Sequence, residues 1–270
     1  LLKTTNSVRL IHSEADFLPG LIVDKYGDSL AIQINTAGME VFRELILSTL
    51  KHLLNPSWIV EKSDENSREI EGLESRNGTL FGTPVQNFEL SENELTFLVD
   101  IEDAQKTGFY LDQRKNRSMC ASYIKEGNTV LDLCCNAGGF GIYALKSGAK
   151  ECVFVDVSES AIAQTKANLE RNELVSESLH VKDVFTFLKE QKYKNTFDMV
   201  IIDPPSFAKT KEQAIGAKRG FKHLLMESTK AVKDGGLIGF FSCSHHVGRK
   251  ELLDIAMEVS HDVKVQYVLL

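Results

Sequence analysis

VLDLCCNAGGFGIYA, residues 130–144, is the stretch that decides the fold. Apolar residues flank Asp132 as in a buried strand, small residues and glycines follow through Asn136, Gly138 and Gly139, and from Phe140 the apolar positions take helical spacing. The segment therefore runs from a strand through a glycine-rich turn into a helix. Further along, short apolar strands are expected at 129–134, 152–157, 199–202 and 237–242, with helix-period segments between them. Strict alternation of strand and helix predicts an α/β, Rossmann-like, doubly wound and mostly parallel sheet covered on both faces. Ligands of such sheets lie outside the carboxyl ends of the strands, close to where the strand order reverses.

Upstream the pattern is different. Apolar stretches at 8–11, 21–23 and 30–34 are separated by turn signals at Pro19-Gly20, Tyr26-Gly27-Asp28 and Ala37-Gly38, and predict antiparallel strands. Residues 41–54 read as a helix, 58–61 as a strand, Asn77-Gly78 as a turn, and 85–90 with 95–101 as a hairpin. Two domains are expected: a small α+β domain at 1–95 and a catalytic domain at 96–270. Charge divides the same way. Residues 1–100 hold 8 basic against 16 acidic side chains, net −8, whereas 101–270 hold 23 against 22, net +1. Two basic clusters, Arg114, Lys115 and Arg117, and Lys209, Lys211, Lys218, Arg219 and Lys222, are candidate phosphate contacts, because such contacts respond to local potential.

At 270 residues and 43% apolar content the chain can bury one large core or two modest ones, which excludes disordered and collagen-like classes. Its longest apolar runs fall far short of the ~20 residues of a membrane helix, so a cytoplasmic location without membrane contact is expected. The five cysteines, Cys120, Cys134, Cys135, Cys152 and Cys243, contain no C-x-x-C pair; reduced thiols are expected rather than disulfides or a zinc site. A start at Leu1 and an end in the apolar run 263–270 read as a fragment lacking pieces at both ends.

The glycine turn also satisfies the dinucleotide pattern G-x-G-x-x-A at Gly139, Gly141 and Ala144, so a nicotinamide cofactor has to be weighed. Against it, three residues separate the strand from the first glycine, and Asp132 sets a carboxylate where a pyrophosphate would need positive potential. A carboxylate there suits a cation. S-adenosylmethionine brings an ammonium and a sulfonium and no phosphate. The next strand ends in Asp156, followed by Ser158, and an acid there can hold ribose hydroxyls. A third strand end offers Asp183 and Val184, where Asp183 either accepts an adenine amino group or caps a helix.

Residues 198–207, DMVIIDPPSF, form an apolar strand that ends in an acid and two prolines. Pro204 and Pro205 cannot continue a hydrogen-bonded ladder, so the chain leaves the sheet rigidly with Asp203 at the cleft. The following strand ends FFSCSHH, residues 240–246, and brings Cys243 to the same edge. A thiol beside a methyl donor has a specific use: thiolate addition at C6 of a pyrimidine makes C5 nucleophilic enough to take a methyl group. The target base must leave its stack to reach it.

TGFYLDQRKNR at 107–117, the turn from Asp132 to Phe140, DPPSF at 203–207 and FSCS at 241–244 together resemble the class I, S-adenosylmethionine-dependent 23S ribosomal RNA cytosine-C5 methyltransferase family. FLPGLIVDKYGD at 17–28, VEKSD at 60–64 and EGL at 71–73 are similar to that family's middle domain. The resemblance implies S-adenosylmethionine as cofactor, ribosomal RNA as partner and Cys243 as nucleophile. It also implies Tyr110, Gln113, Arg114 and Arg117 at the border of cofactor or RNA, beside Asn136, Gly138, Gly139, Phe140 and Pro204. The family's small RNA-binding PUA domain and its last strand have no counterpart in these residues. Uracil C5 methylation, N-methylation of guanine or a protein amine, and a non-catalytic RNA-binding assembly factor stay open, as does the oligomeric state, a homodimer included.

Overall fold

The computed structural model describes residues 3–101, 109–205, 214–244 and 247–270. Two compact units divide the chain, Leu1–Arg114 and Lys115–Leu270, so the second strand of the hairpin expected to follow residue 95 belongs with the first unit.

In the first unit, β1 (Ser7–His12), β2 (Leu21–Tyr26) and β3 (Ser29–Ile34) run antiparallel. The short α1 (Ala37–Val41) and the longer α2 (Arg43–Leu54) then carry the chain across the sheet to β4 (Trp58–Lys62). That crossover makes β3 and β4 parallel, the one departure from the antiparallel arrangement expected here. After α3 (Glu65–Ile70) comes β5 (Asn77–Gly82), antiparallel to β4. The turn expected at Asn77-Gly78 is thus the start of a strand, with Gly78 paired opposite Glu61. Leu21, Val23, Leu30, Ile32 and Ile34 pack against Leu47 and Leu50 of α2 to form the core.

A buried ion cluster ties helices to sheet. Arg43 holds Glu61 through both carboxylate oxygens at 2.7 and 2.9 Å and also reaches Glu40, which Arg68 contacts from α3. Hydrogen bonding to Arg43 pushes the Glu40 carboxyl down to about 2. The hairpin of β6 (Phe88–Glu92) and β7 (Leu95–Val99) turns at Asn93 and Glu94, both at positive φ, as a two-residue hairpin turn requires. The side chain of Asn6 fastens it ahead of β1, donating to the Glu89 carbonyl and accepting from the Ser91 N–H.

The second unit follows from α4 (Arg114–Ser122), whose first residue closes the first unit. Strands and helices alternate: β8 (Thr129–Leu133), α5 (Gly139–Lys146), β9 (Glu151–Asp156), α6 (Glu159–Arg171), β10 (Leu179–Val181), α7 (Val184–Leu188), β11 (Phe197–Ile202), α8 (Ala214–Ala231), β12 (Val232–Phe240) and α9 (Arg249–Val263). The sheet order is β10-β9-β8-β11-β12, every pairing parallel. The chain builds outward from β8 to β10, then returns to the other side of β8 to place β11. Strand order therefore reverses at β8, between the ends of β8 and β11, where a ligand cleft is expected. Leu131, Leu133, Val153, Val155, Val200 and Ile202 fill the core with Phe187 and with Phe221 and Leu224 of α8. Among the described residues no helix is long and apolar enough to cross a membrane.

Candidate active site

Three strand ends meet the reversal point. Asp132, fourth in β8, is 1% exposed, and its Oδ2 accepts the Gly141 N–H at 2.8 Å, which joins the strand to the first turn of α5. Burial pushes its carboxyl up to about 7, against the opposing effect of the Gly141 bond; Asp203 and Asp156 add repulsion and Arg117 relieves some of it. Asp156, the last residue of β9, spans the entrance to the turn: Oδ2 accepts the Asn136 N–H at 2.9 Å and Oδ1 the Ser158 N–H at 3.0 Å. Ser158 in turn caps α6 by accepting from Ala161.

The turn itself is tightly held. Cys134 and Asn136 take positive φ, as does Gly138 at +77°. At Gly141 a Cβ would stand 2.2 Å from the Phe154 ring and 2.5 Å from Cys152 Sγ. The second glycine of the dinucleotide-like pattern thus serves helix-to-sheet packing, and Asp132, not a pyrophosphate, takes the N–H of that residue. From behind, α6 closes the turn: Thr165 Oγ1 reaches the Asn136 carbonyl at 2.8 Å, and Asn168 Nδ2 donates to the Ala137 carbonyl at 2.9 Å. Neither residue was among the expected site residues. The only signal was two polar side chains, three apart, on a helix face that otherwise buries Ile162 and Leu169.

Phe140, buried in the first turn of α5, stacks on Phe241 with ring centroids 5.0 Å apart, which links the glycine turn to the segment after β12. Two residues on, Cys243 is exposed, and its Sγ lies 3.7 Å from the Pro204 carbonyl. Pro204 is buried and Asp203 half-buried beside it. The strand stops at Phe240, yet Phe241 N–H still donates to Ile202 O at 2.9 Å, so the chain keeps step with β11 to within two residues of the thiol. The other four thiols are different. Cys120, Cys135 and Cys152 are buried and Cys134 half-buried. Desolvation holds all four in the neutral form, with Cys120 pushed up to about 12.

Other expected residues fall elsewhere. Asp183 is exposed and caps α7, accepting from Thr186 N–H and Oγ1, which realises the capping alternative. Val184 puts its side chain into the core, so only its backbone can meet a ligand. Arg117 is 3% exposed on α4, whereas Tyr110, Gln113 and Arg114 belong to the first unit. Lys222 is drawn into ion pairs with Glu258 and Asp262 of α9, both at 2.9 Å, and so clamps two helices together. Lys218 and Arg219 are exposed on α8; Lys209 and Lys211 lie outside the described residues.

The cleft thus combines a buried acid, two further acids and one buried guanidinium, a set that fits a ligand carrying positive charge beside an acceptor and does not fit a pyrophosphate. Residues 49–255 match the family model of S-adenosylmethionine-dependent methyltransferases. The chain belongs to this family.

As a methyltransferase it is 42% identical over 266 residues to the Ribosomal RNA large subunit methyltransferase I of Aeromonas hydrophila, covering 95% of this chain and 67% of the relative. The protein of that name from Vibrio cholerae is 40% identical, with the same coverages. The crystal structure of SMU.776 complexed with SAH superposes with a TM-score of 0.82 at 25% identity over 95% of this methyltransferase and 66% of that chain. The tRNA m1G37 methyltransferase of M. jannaschii, at 22% identity and a TM-score of 0.63 over 90% and 67%, shares the fold.

Proposed function

We propose that this methyltransferase acts on C5 of a cytosine in ribosomal RNA by way of a transient bond between Cys243 and C6. One observation carries the reading: of five thiols, the one that is exposed lies against the carbonyl of Pro204, the residue that follows Asp203. The substrate class rests on the relatives named for large-subunit ribosomal RNA, and a cytoplasmic location goes with it.

Bound S-adenosylmethionine supplies an electrophilic methyl group. Asp132 and Arg117 would answer its charges, and Asp156 with Ser158 its ribose. The turn from Asn136 through Gly138 and Gly139 to Phe140 would lie along it, with Asp183 and the Val184 backbone near the base. The Cys243 thiolate would add to C6 and push an electron pair to C5, which takes the methyl group as its bond to the sulfonium sulfur breaks and S-adenosylhomocysteine leaves. Loss of the C5 proton and expulsion of the thiolate restore the aromatic ring. Asp203, hydrogen-bonded to the N3–N4 edge, would hold the base and steady the adduct. Lys209, Lys211, Lys218 and Arg219 would meet phosphates, with the first unit as a further RNA surface.

Nucleoside mass spectrometry of ribosomal RNA after incubation with the protein and labelled cofactor tests this. The expected product is 5-methylcytidine. Label in 5-methyluridine would assign the other pyrimidine, and label on a guanine nitrogen, or none in RNA, would refute the reading.

A further inference from the structure

We propose that Thr165 and Asn168 of α6 are positioning residues for the cofactor: they hold two carbonyl oxygens of the glycine turn on α6, away from the cleft, and so leave the Ala137 N–H facing the ligand. Both side chains are completely buried and lie three residues apart, on one face of the helix. Thr165 Oγ1 lies 2.8 Å from the Asn136 carbonyl and 3.0 Å from Ala161 O one turn back; its single proton serves one of them at a time, and the contact to the turn is the shorter. Cys135 Sγ stands 3.9 Å from the same hydroxyl. Asn168 Nδ2 takes the next carbonyl, that of Ala137.

The peptide unit is planar and trans, so its C=O and the following N–H point in opposite directions. With the Asn136 oxygen fixed on α6, the Ala137 N–H must point away from α6. The Gly138 N–H, one peptide on, is taken by Cys135 O at 2.8 Å. The rest of the turn is anchored independently, Asn136 N–H on Asp156 and Gly141 N–H on Asp132. Only the two carbonyls between them depend on α6. Without those two bonds the peptides could rotate and present oxygens to the carboxylate and ring nitrogens of S-adenosylmethionine, which are themselves acceptors. The inference rests on the cofactor alone and stands or falls independently of which base is methylated.

Isothermal titration of the cofactor-free protein with S-adenosylhomocysteine, paired with thermal unfolding of the same samples, is the test. Thr165→Val keeps the shape and removes the hydroxyl, and should weaken binding about tenfold; Thr165→Ser keeps the hydroxyl and should bind within about twofold of the parent. Asn168→Leu, which removes the other donor, should weaken binding to a similar degree and supplies the answer if Thr165→Val does not fold. At saturating cofactor, kcat should change far less than KM. A folded Thr165→Val or Asn168→Leu protein with unchanged affinity and a lowered melting temperature would overturn the proposal and leave the two side chains a packing role only.

Discussion

Cys243→Ala should abolish methyl transfer, by on the order of 10³-fold or more, and leave S-adenosylhomocysteine affinity within about twofold of the parent. The reason is electronic. C5 of a cytosine is a poor nucleophile, and general acid–base help of the usual ~10²–10⁴-fold cannot replace the electron pair that a C6–S bond donates. Packing gives this thiol no role in the core, since it is exposed past the end of β12, whereas Cys120, Cys135 and Cys152 sit in the interior. Truncating it opens no cavity, so the loss should appear in kcat with the melting temperature unchanged. Single-turnover transfer of labelled methyl to ribosomal RNA is the measurement, and substantial residual activity would make Cys243 a bystander.

The second large effect concerns Asp132 and pH. Its carboxyl titrates at about 7 in the folded protein, against 3.8 when unperturbed. Between those values the folded state holds a proton that the unfolded chain has lost, so stability falls as pH rises through this window. The full effect is on the order of 4 kcal/mol, present below about pH 4 and gone above about pH 7. Asp132→Asn keeps an oxygen for the Gly141 N–H and removes the ionisation. Urea denaturation from pH 4 to 8 should show the parent losing stability relative to the variant across the window; parallel curves would contradict it. On the proposed placement of the cofactor, the same buried carboxylate would face its positive charge. Ionising Asp132 beside Asp156 and Asp203 is costly until a cation arrives, so affinity for S-adenosylmethionine should rise with pH through about 7.

Four strands of the parallel sheet are legible in the sequence as short apolar runs, three of them closing at or beside an acid, Asp132, Asp156 and Asp203; β10, three residues with a histidine at its centre, carries no such run. Boundaries are less so. The Asp234-Gly235-Gly236 run reads as a loop before a strand at 237, yet the ladder pairs Phe197 with Val232 and Met199 with Leu237, so these residues bulge within β12. The Asn77-Gly78 pair carries a turn signal that pairing with β4 overrides. In the candidate site, residues at or just beyond strand ends are readable from position, which is how Asp132, Asp156 and Cys243 stand out as candidates. Asp183 shows the limit of that rule, since an acid at a strand end is equally well placed to cap the next helix, and here it does. Thr165 and Asn168 show only as polar positions on an apolar helix face, for a different reason: their partners are backbone carbonyls about thirty residues earlier, and no spacing rule connects a helix interior to a distant turn. Likewise the stacking of Phe140 on Phe241 joins residues a hundred positions apart and appears only once β8 and β12 share a sheet.

The carbon–sulfur bond between Cys243 and C6 can be trapped. Ribosomal RNA carrying 5-fluorocytidine lacks the C5 proton whose removal frees the enzyme, so with S-adenosylmethionine present the account predicts a denaturation-resistant protein–RNA adduct. Peptide mapping should place it on Cys243, and Cys243→Ala should not form it. Methylation of normal RNA at C5 with no adduct on the fluorinated RNA, or an adduct on a different residue, would contradict it.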